Sequence, residues 1–222
     1  MHLRTLLTLV TVSTAFTALA QDPSIYVPAG PRDPNTYNAP PDIYQVRYAA
    51  NLDKGDSIIN ITNTGSMQFT HPADNLCVNI YTFDTSEEML SCCACLVTPN
   101  GLASLSVRTD LLGNTLSLNG TTAVVIKMVA TDALTNGIGF CGAGNVDPDG
   151  AILAPGMRAW GTTLHALSNG TYGVTESEFV NGGLSMEELE HLSSFCKFIE
   201  SNGSGFGICK SCRAGGLAGD KQ

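Results

Sequence analysis

Leu76 to Gly101, LCVNIYTFDTSEEMLSCCACLVTPNG, holds four of the chain's eight cysteines between two runs that alternate like strands. In the first run Leu76, Val78 and Ile80 share one face, and Cys77, Asn79 and Tyr81 share the other. In the second, Met89 to Val97, Cys93 and Cys95 lie on one face and Cys92 on the opposite one. The polar Asp84-Thr85-Ser86-Glu87-Glu88 between them is short enough to close a hairpin. A turn centred near Ser86 sets opposite one another residues whose numbers sum to about 172, which places Cys77 against Cys95. Opposed positions approach to a disulfide's spacing, so Cys77 is expected to bond Cys95 or Cys93, with Cys92 paired elsewhere. A one-residue slip would bring the opposite faces together.

Outward from this hairpin the signals are of strands and turns. Tyr44, Val46 and Tyr48 alternate with Gln45 and Arg47, and Ser57 to Thr62 is rich in β-branched residues. Leu102–Arg108, Thr122–Ala130, Met157–Leu167 and Tyr172–Val180 complete the expected strands, with Ala123-Val124-Val125-Ile126, apolar on both faces, as the buried central one. Asn-Gly pairs at Asn100, Asn119, Asn136, Asn169, Asn181 and Asn202 punctuate the chain, and Asn-Gly suits a hairpin turn that needs positive φ. This pattern predicts an all-β fold, an antiparallel β-sandwich of immunoglobulin-like or jelly-roll-like type, with one C-terminal helix and disulfides. The helix, over about residues 185–201, is announced by Ser185 with Glu188 as a capping box and by Asn202-Gly203 as a stop. Its Leu189, Leu192, Phe195, Cys196 and Ile199 face is expected to cover an open end or edge of the sandwich.

Met1 to Ala20 has a basic start, an apolar centre and Ala18-Leu19-Ala20 before Gln21, the pattern of a secretory signal peptide cleaved near Ala20-Gln21. Removing it takes away one Arg and no acid, moving the formal charge from −9 to −10. An acidic protein repels phosphate backbones, so nucleic acid is a poor partner. No later stretch reaches the roughly 20 apolar residues of a membrane span. Eight cysteines behind a signal peptide imply an oxidising compartment, extracellular or periplasmic, and a disulfide framework built from Cys77, Cys92, Cys93, Cys95, Cys141, Cys196, Cys209 and Cys212.

Residues 21–42 form a Pro-rich extended arm with six of the ten prolines, unable to be helix or central strand. Ser24-Ile25-Tyr26-Val27 within it, and Ile43 to Ala50 just beyond it, are apolar enough to join a neighbouring subunit's sheet edge. The sandwich domain is expected over residues 43–217, followed by a tail at 218–222.

Candidate chemistry is sparse. Cys209-Lys210-Ser211-Cys212 has redox spacing but follows the helix in a glycine loop, where a structural bridge, with Cys196 in reach of either thiol, is the simpler reading. A zinc set of His191, Cys196, Cys209 and Cys212 fits no familiar finger spacing. Asn145, Asp147 and Asp149 resemble the first half of a calcium loop, but Gly156 stands where a bidentate Glu belongs. Trp160, the chain's lone tryptophan, reads first as a core aromatic and second as a stacking platform for a sugar. No nucleophile elbow, zinc-protease helix or phosphate loop occurs. His165 in a strand reads as a core or surface histidine, and Glu187-Glu188 as first-turn helix acids. Asn60, Asn119, Asn169 and Asn202 begin glycosylation sequons, three of them at Asn-Gly turns.

The motifs DNLCVNIYTF, SCCACLVTPNGLASLSVR and SGFGICKSC together resemble a group of cysteine-rich secreted proteins of environmental soil bacteria, chiefly acidobacteria. That resemblance covers most of residues 43–217 and implies an exported bacterial protein whose sequons go unused; it transfers no activity and no site residue. The expectation is therefore a non-enzymatic secreted or cell-surface protein without cofactor, a possible homo-oligomer whose partners are itself or other extracellular components. The alternatives are a redox protein using Cys209 and Cys212, and a carbohydrate-binding module using Trp160 or surface tyrosines.

Overall fold

A computed structural model describes residues 42–65, 75–116, 120–133, 141–146, 153–204 and 207–212. The expected leader, the expected arm up to residue 41, His71, Asn119, Asn136, Asp147, Asp149 and the tail from residue 213 lie outside these. The described residues hold ten strands, in order: β1 Tyr44–Ala50, β2 Ile58–Asn63, β3 Leu76–Phe83, β4 Met89–Val97, β5 Leu102–Ser106, β6 Ala123–Asp132, β7 Met157–Ala166, β8 Tyr172–Glu178, β9 Val180–Asn181 and β10 Gly207–Ile208. They form two sheets, ordered β10-β4-β3-β6-β1-β9 and β5-β2-β7-β8. Only β10 with β4 is parallel among the strand pairs described. The fold is the expected antiparallel β-sandwich with one helix, α1 Met186–Ser201, and four disulfides.

One core fills the space between the sheets, where Ile59, Ile61, Ile80, Leu105, Ile126, Met128 and Met157 meet. A second lies on the outer face of the six-stranded sheet, where Tyr81, Cys92 and Val129 pack under Leu189, Leu192 and Ile199 of α1. This doubled cover explains why β3 and β4 are buried at almost every position, on both faces. The helix therefore lies on a sheet face and not over an end or edge as expected. Phe195 is 51% exposed at its rim, because the buried stripe runs through Leu189, Leu192, Cys196 and Ile199. Ser185 Oγ accepts from the Glu188 amide, while the Glu188 carboxylate turns to Lys127 at 2.6 Å instead of closing the capping box. Asn202 and Gly203, at φ +85°, end the helix.

The hairpin has the expected strands but a shifted register. Near the turn Phe83 faces Met89; beyond a bulge, Thr82 faces Ser91, Ile80 faces Cys93 and Val78 faces Cys95. Leu90 is the extra residue on β4, and it moves every later pair by one. Cys77 thus faces Leu96, and no cross-strand bridge to Cys93 or Cys95 can form.

Two other readings change. β6 is central, but Val125 is 37% exposed on its outer face, so full burial belongs to β3 and β4. Among the described Asn-Gly pairs only Asn169-Gly170 closes a hairpin, between β7 and β8, with Gly170 N–H on Leu167 O. Asn100-Gly101 carries the chain from one sheet to the other, with Asn100 at φ +60°. The same dipeptide chemistry serves any reversal that needs positive φ.

Candidate functional site

All eight cysteines are spent in four bridges: Cys77–Cys141, Cys92–Cys196, Cys93–Cys209 and Cys95–Cys212. Alternation along β4 decides the last three. Cys92 points to α1 and takes Cys196, while Cys93 and Cys95 point into the inter-sheet core. Past the helix, β10 pairs with β4, and Cys209, just before a single 3-10 turn, and Cys212, at its end, reach those two inward sulfurs. A Cys-x-Cys on a strand is thus matched to a Cys-x-x-Cys on a turn. Cys209 and Cys212 bond β4 and not each other, so the motif holds no disulfide of its own, and the zinc set loses its thiolates. Cys77–Cys141 ties β3 to the Ala143–Asn145 turn beneath the helix, where Tyr81 Oη donates to Ala143 O at 2.9 Å. Asn145 is exposed there, and its calcium companions lie outside the described residues.

Among the described residues one side of the sandwich is open. Leu167 N–H donates to Thr171 O and Phe179 N–H to Ala159 O, which fixes the ladder between β7 and β8. Antiparallel pairing alternates, so Tyr172, Val174 and Glu176 direct their N–H and C=O groups away from β7. Among the described residues no strand lies beside that edge. Across the opening, β9 covers β1 only at Gln45 and Val46. Tyr48 is 59%, Val174 63% and Val180 71% exposed along this side.

Between the two edges lies a cleft of about 670 Å³, which includes Arg47, Thr163, His165, Thr175 and Ser177. Arg47 spans it: Nη1 donates to Ser177 O and Oγ, Nη2 donates to Thr163 Oγ1 at 2.6 Å, and the guanidinium lies 5.8 Å from the Phe179 ring. Burial lowers its pKa below the ordinary arginine value, against the pull of Tyr48 and Glu176. Sequence reasoning missed this opening. Its signal was the seven-residue Tyr172–Glu178, an edge strand with no Lys, no Pro and no bulge to discourage pairing.

Trp160 is not a core aromatic. It is half-buried on the outer face of the four-stranded sheet, in one row with Ser104, Asn60 and Glu178 on neighbouring strands. Ser104 Oγ donates to Asn60 Oδ1 at 2.7 Å, and Asn60 Nδ2 donates to Glu176 Oε1 at 3.0 Å.

Hydrolytic geometry is not assembled among the described residues. His165 Nε2 contacts Thr175 Oγ1 at 2.7 Å, and His191 leans on Phe195 with ring centroids 6.0 Å apart. Neither meets a carboxylate among the ion pairs described. Glu200, beside the Cys92–Cys196 bridge, is pushed above its ordinary carboxyl value by burial, partly countered by the Gly207 N–H. A raised folded-state pKa means the ionised carboxylate opposes folding at neutral pH, and this opposition fades as pH falls toward the ordinary value. Glu200→Gln, which keeps an acceptor for Gly207, is expected to melt higher than the wild-type protein at pH 7. The gain should vanish near pH 4; a gain that grew on acidification would contradict it.

Comparison of the chain with protein-family models, with curated proteins and with solved structures finds no match. Among the described residues no helix is long and apolar enough to cross a membrane. Four disulfides fit an oxidising compartment.

Proposed function

We propose that this chain is a non-enzymatic extracellular or cell-surface protein that works through contacts and assembles with itself by strand addition. The Pro-rich residues 21–42 of one copy join the β8 edge of another. One observation carries the reading: the outward amides of Tyr172, Val174 and Glu176 line an open side flanked by exposed apolar residues. Main-chain hydrogen bonds at such an edge give affinity, and side-chain pockets beside it give register. Ser24-Ile25-Tyr26-Val27, bounded by Pro23 and Pro28, has the length and apolar content of a short donated strand. Its flanking prolines suit a strand paired on one side only.

Two variants test this from both ends. Deleting residues 21–41, and separately Val174→Pro, should each convert the wild-type oligomer to monomer by light scattering at micromolar concentration. Val174 N–H points outward, so proline there leaves the β7–β8 ladder intact. A monomeric wild type, or an unchanged size distribution in either variant, overturns the proposal.

A further inference from the structure

The two outer faces of the sandwich differ. The six-stranded sheet carries α1 on its outer side, whereas among the described residues nothing covers Asn60, Ser104 and Trp160 on the four-stranded one. There Leu102, Ser104, Asn60, Trp160 and Glu176 line a shallow depression of about 470 Å³. We infer that this depression is a subsite for a neutral, β-linked pyranose chain lying across the strands.

The chemistry of the row selects that ligand. An indole offers a broad apolar face, and a pyranose with equatorial hydroxyls offers a matching face of axial C–H groups. Leu102, 48% exposed and two strands from Trp160, gives a second apolar rest. Between them, hydroxyl, amide and carboxylate groups are held in place by their own hydrogen bonds, Ser104 to Asn60 and Asn60 to Glu176. A ligand hydroxyl therefore meets polar groups already oriented, which lowers the ordering cost of binding. Glu176 accepts from Asn60 through Oε1, leaving its second oxygen for a sugar O–H. Charge excludes acidic sugars. Of the two cations near this row, Arg158 is engaged by Glu178 at 2.7 Å and Asp42 at 3.6 Å and Arg47 donates to Ser177 and Thr163 in the cleft, while Glu176 adds a further negative charge. The depression is open and not enclosed, as suits the side of a polymer.

Asn60 itself begins the sequon Asn60-Ile61-Thr62, so the test uses protein from a host that does not N-glycosylate. Trp160 is the only tryptophan, which makes its emission a direct reporter of the site. Cellohexaose or xylohexaose should shift and quench that emission saturably, and an acidic galacturonate oligomer should not. Retention in a gel containing a soluble neutral β-glucan or xylan should be lost in Trp160→Ala. Asn60→Ala, which removes only surface hydrogen bonds and keeps the fold checkable by circular dichroism, should weaken the hexaose at least tenfold. Unchanged emission with both neutral hexaoses overturns the inference. So does a response to the acidic oligomer alone, or affinity unchanged in a folded Asn60→Ala protein. The site does not depend on assembly, so a chain lacking residues 21–41 should bind the hexaose as the full chain does.

Discussion

Replacing Cys93, Cys95, Cys209 and Cys212 together with alanine is expected to lower the unfolding free energy by about 5 kcal/mol, while removing either bridge alone costs about 2 kcal/mol. The inequality follows from how the bridges share one another's loops. Cys93–Cys209 spans 116 positions and Cys95–Cys212 spans 117, yet each closes only a small ring when its neighbour is intact. The path from Cys93 through Cys95, across its bridge and back from Cys212 to Cys209, is about seven residues long, worth about 2 kcal/mol of chain entropy. With both gone, the remaining tether is Cys92–Cys196, which leaves a loop of about 15 residues and adds about 3 kcal/mol to the loss. Equilibrium urea unfolding of the two double variants and the quadruple one gives the comparison. If one bridge alone costs as much as both, the loops are not shared in this way.

Asp110→Ala is expected to cost about 3–5 kcal/mol, and Asp110→Asn about 2 kcal/mol. Asp110 is fully buried and sits in a single π turn, Val107–Leu111. Its carboxylate accepts from the Ser106 amide at 2.8 Å, the Ser211 amide at 2.7 Å and the Ser211 hydroxyl at 2.9 Å. Alanine strands half-buried donors on both segments. Asparagine keeps one oxygen for Ser211 but turns an NH₂ toward the others, so it should fall between. Thermal unfolding of both variants would show the order, and equal losses would mean that packing and not hydrogen bonding dominates the site.

Much of the fold was legible because it rests on alternation. The strands around Cys77, Cys95, Ser57–Thr62 and Met157–Leu167 carry their period in the sequence, and Ser185 and Gly203 mark the helix by local backbone chemistry. What escaped depends on distance. The bulge at Leu90 is one extra residue that no local propensity announces, and it alone separates the expected Cys77–Cys95 register from the observed one. Trp160 could not be placed because its strand alternates between two half-apolar faces. Which of them is covered depends on where α1 lands, and α1 lands on the other sheet. The Cys-x-x-Cys motif read as a local pair because its partners lie more than a hundred residues earlier. The open β8 edge is a property of sheet order, and neighbour relations between strands are invisible to periodicity.

The wrapping of the C-terminal segment around β4 also constrains when the molecule can be finished. Cys92, Cys93 and Cys95 find partners 104, 116 and 117 positions later, so none of their native bridges can close until roughly a hundred further residues have emerged. At about 5–20 residues per second, β4 waits on the order of ten seconds with three thiols exposed to oxidant. During that interval the available partners are one another, Cys77 and Cys141, and of these only Cys77–Cys141 is native. Maturation thus requires either oxidation delayed until residue 212 has arrived or an isomerase that undoes early pairs. The yield of folded protein should follow the supply of that isomerase more closely than the supply of oxidant.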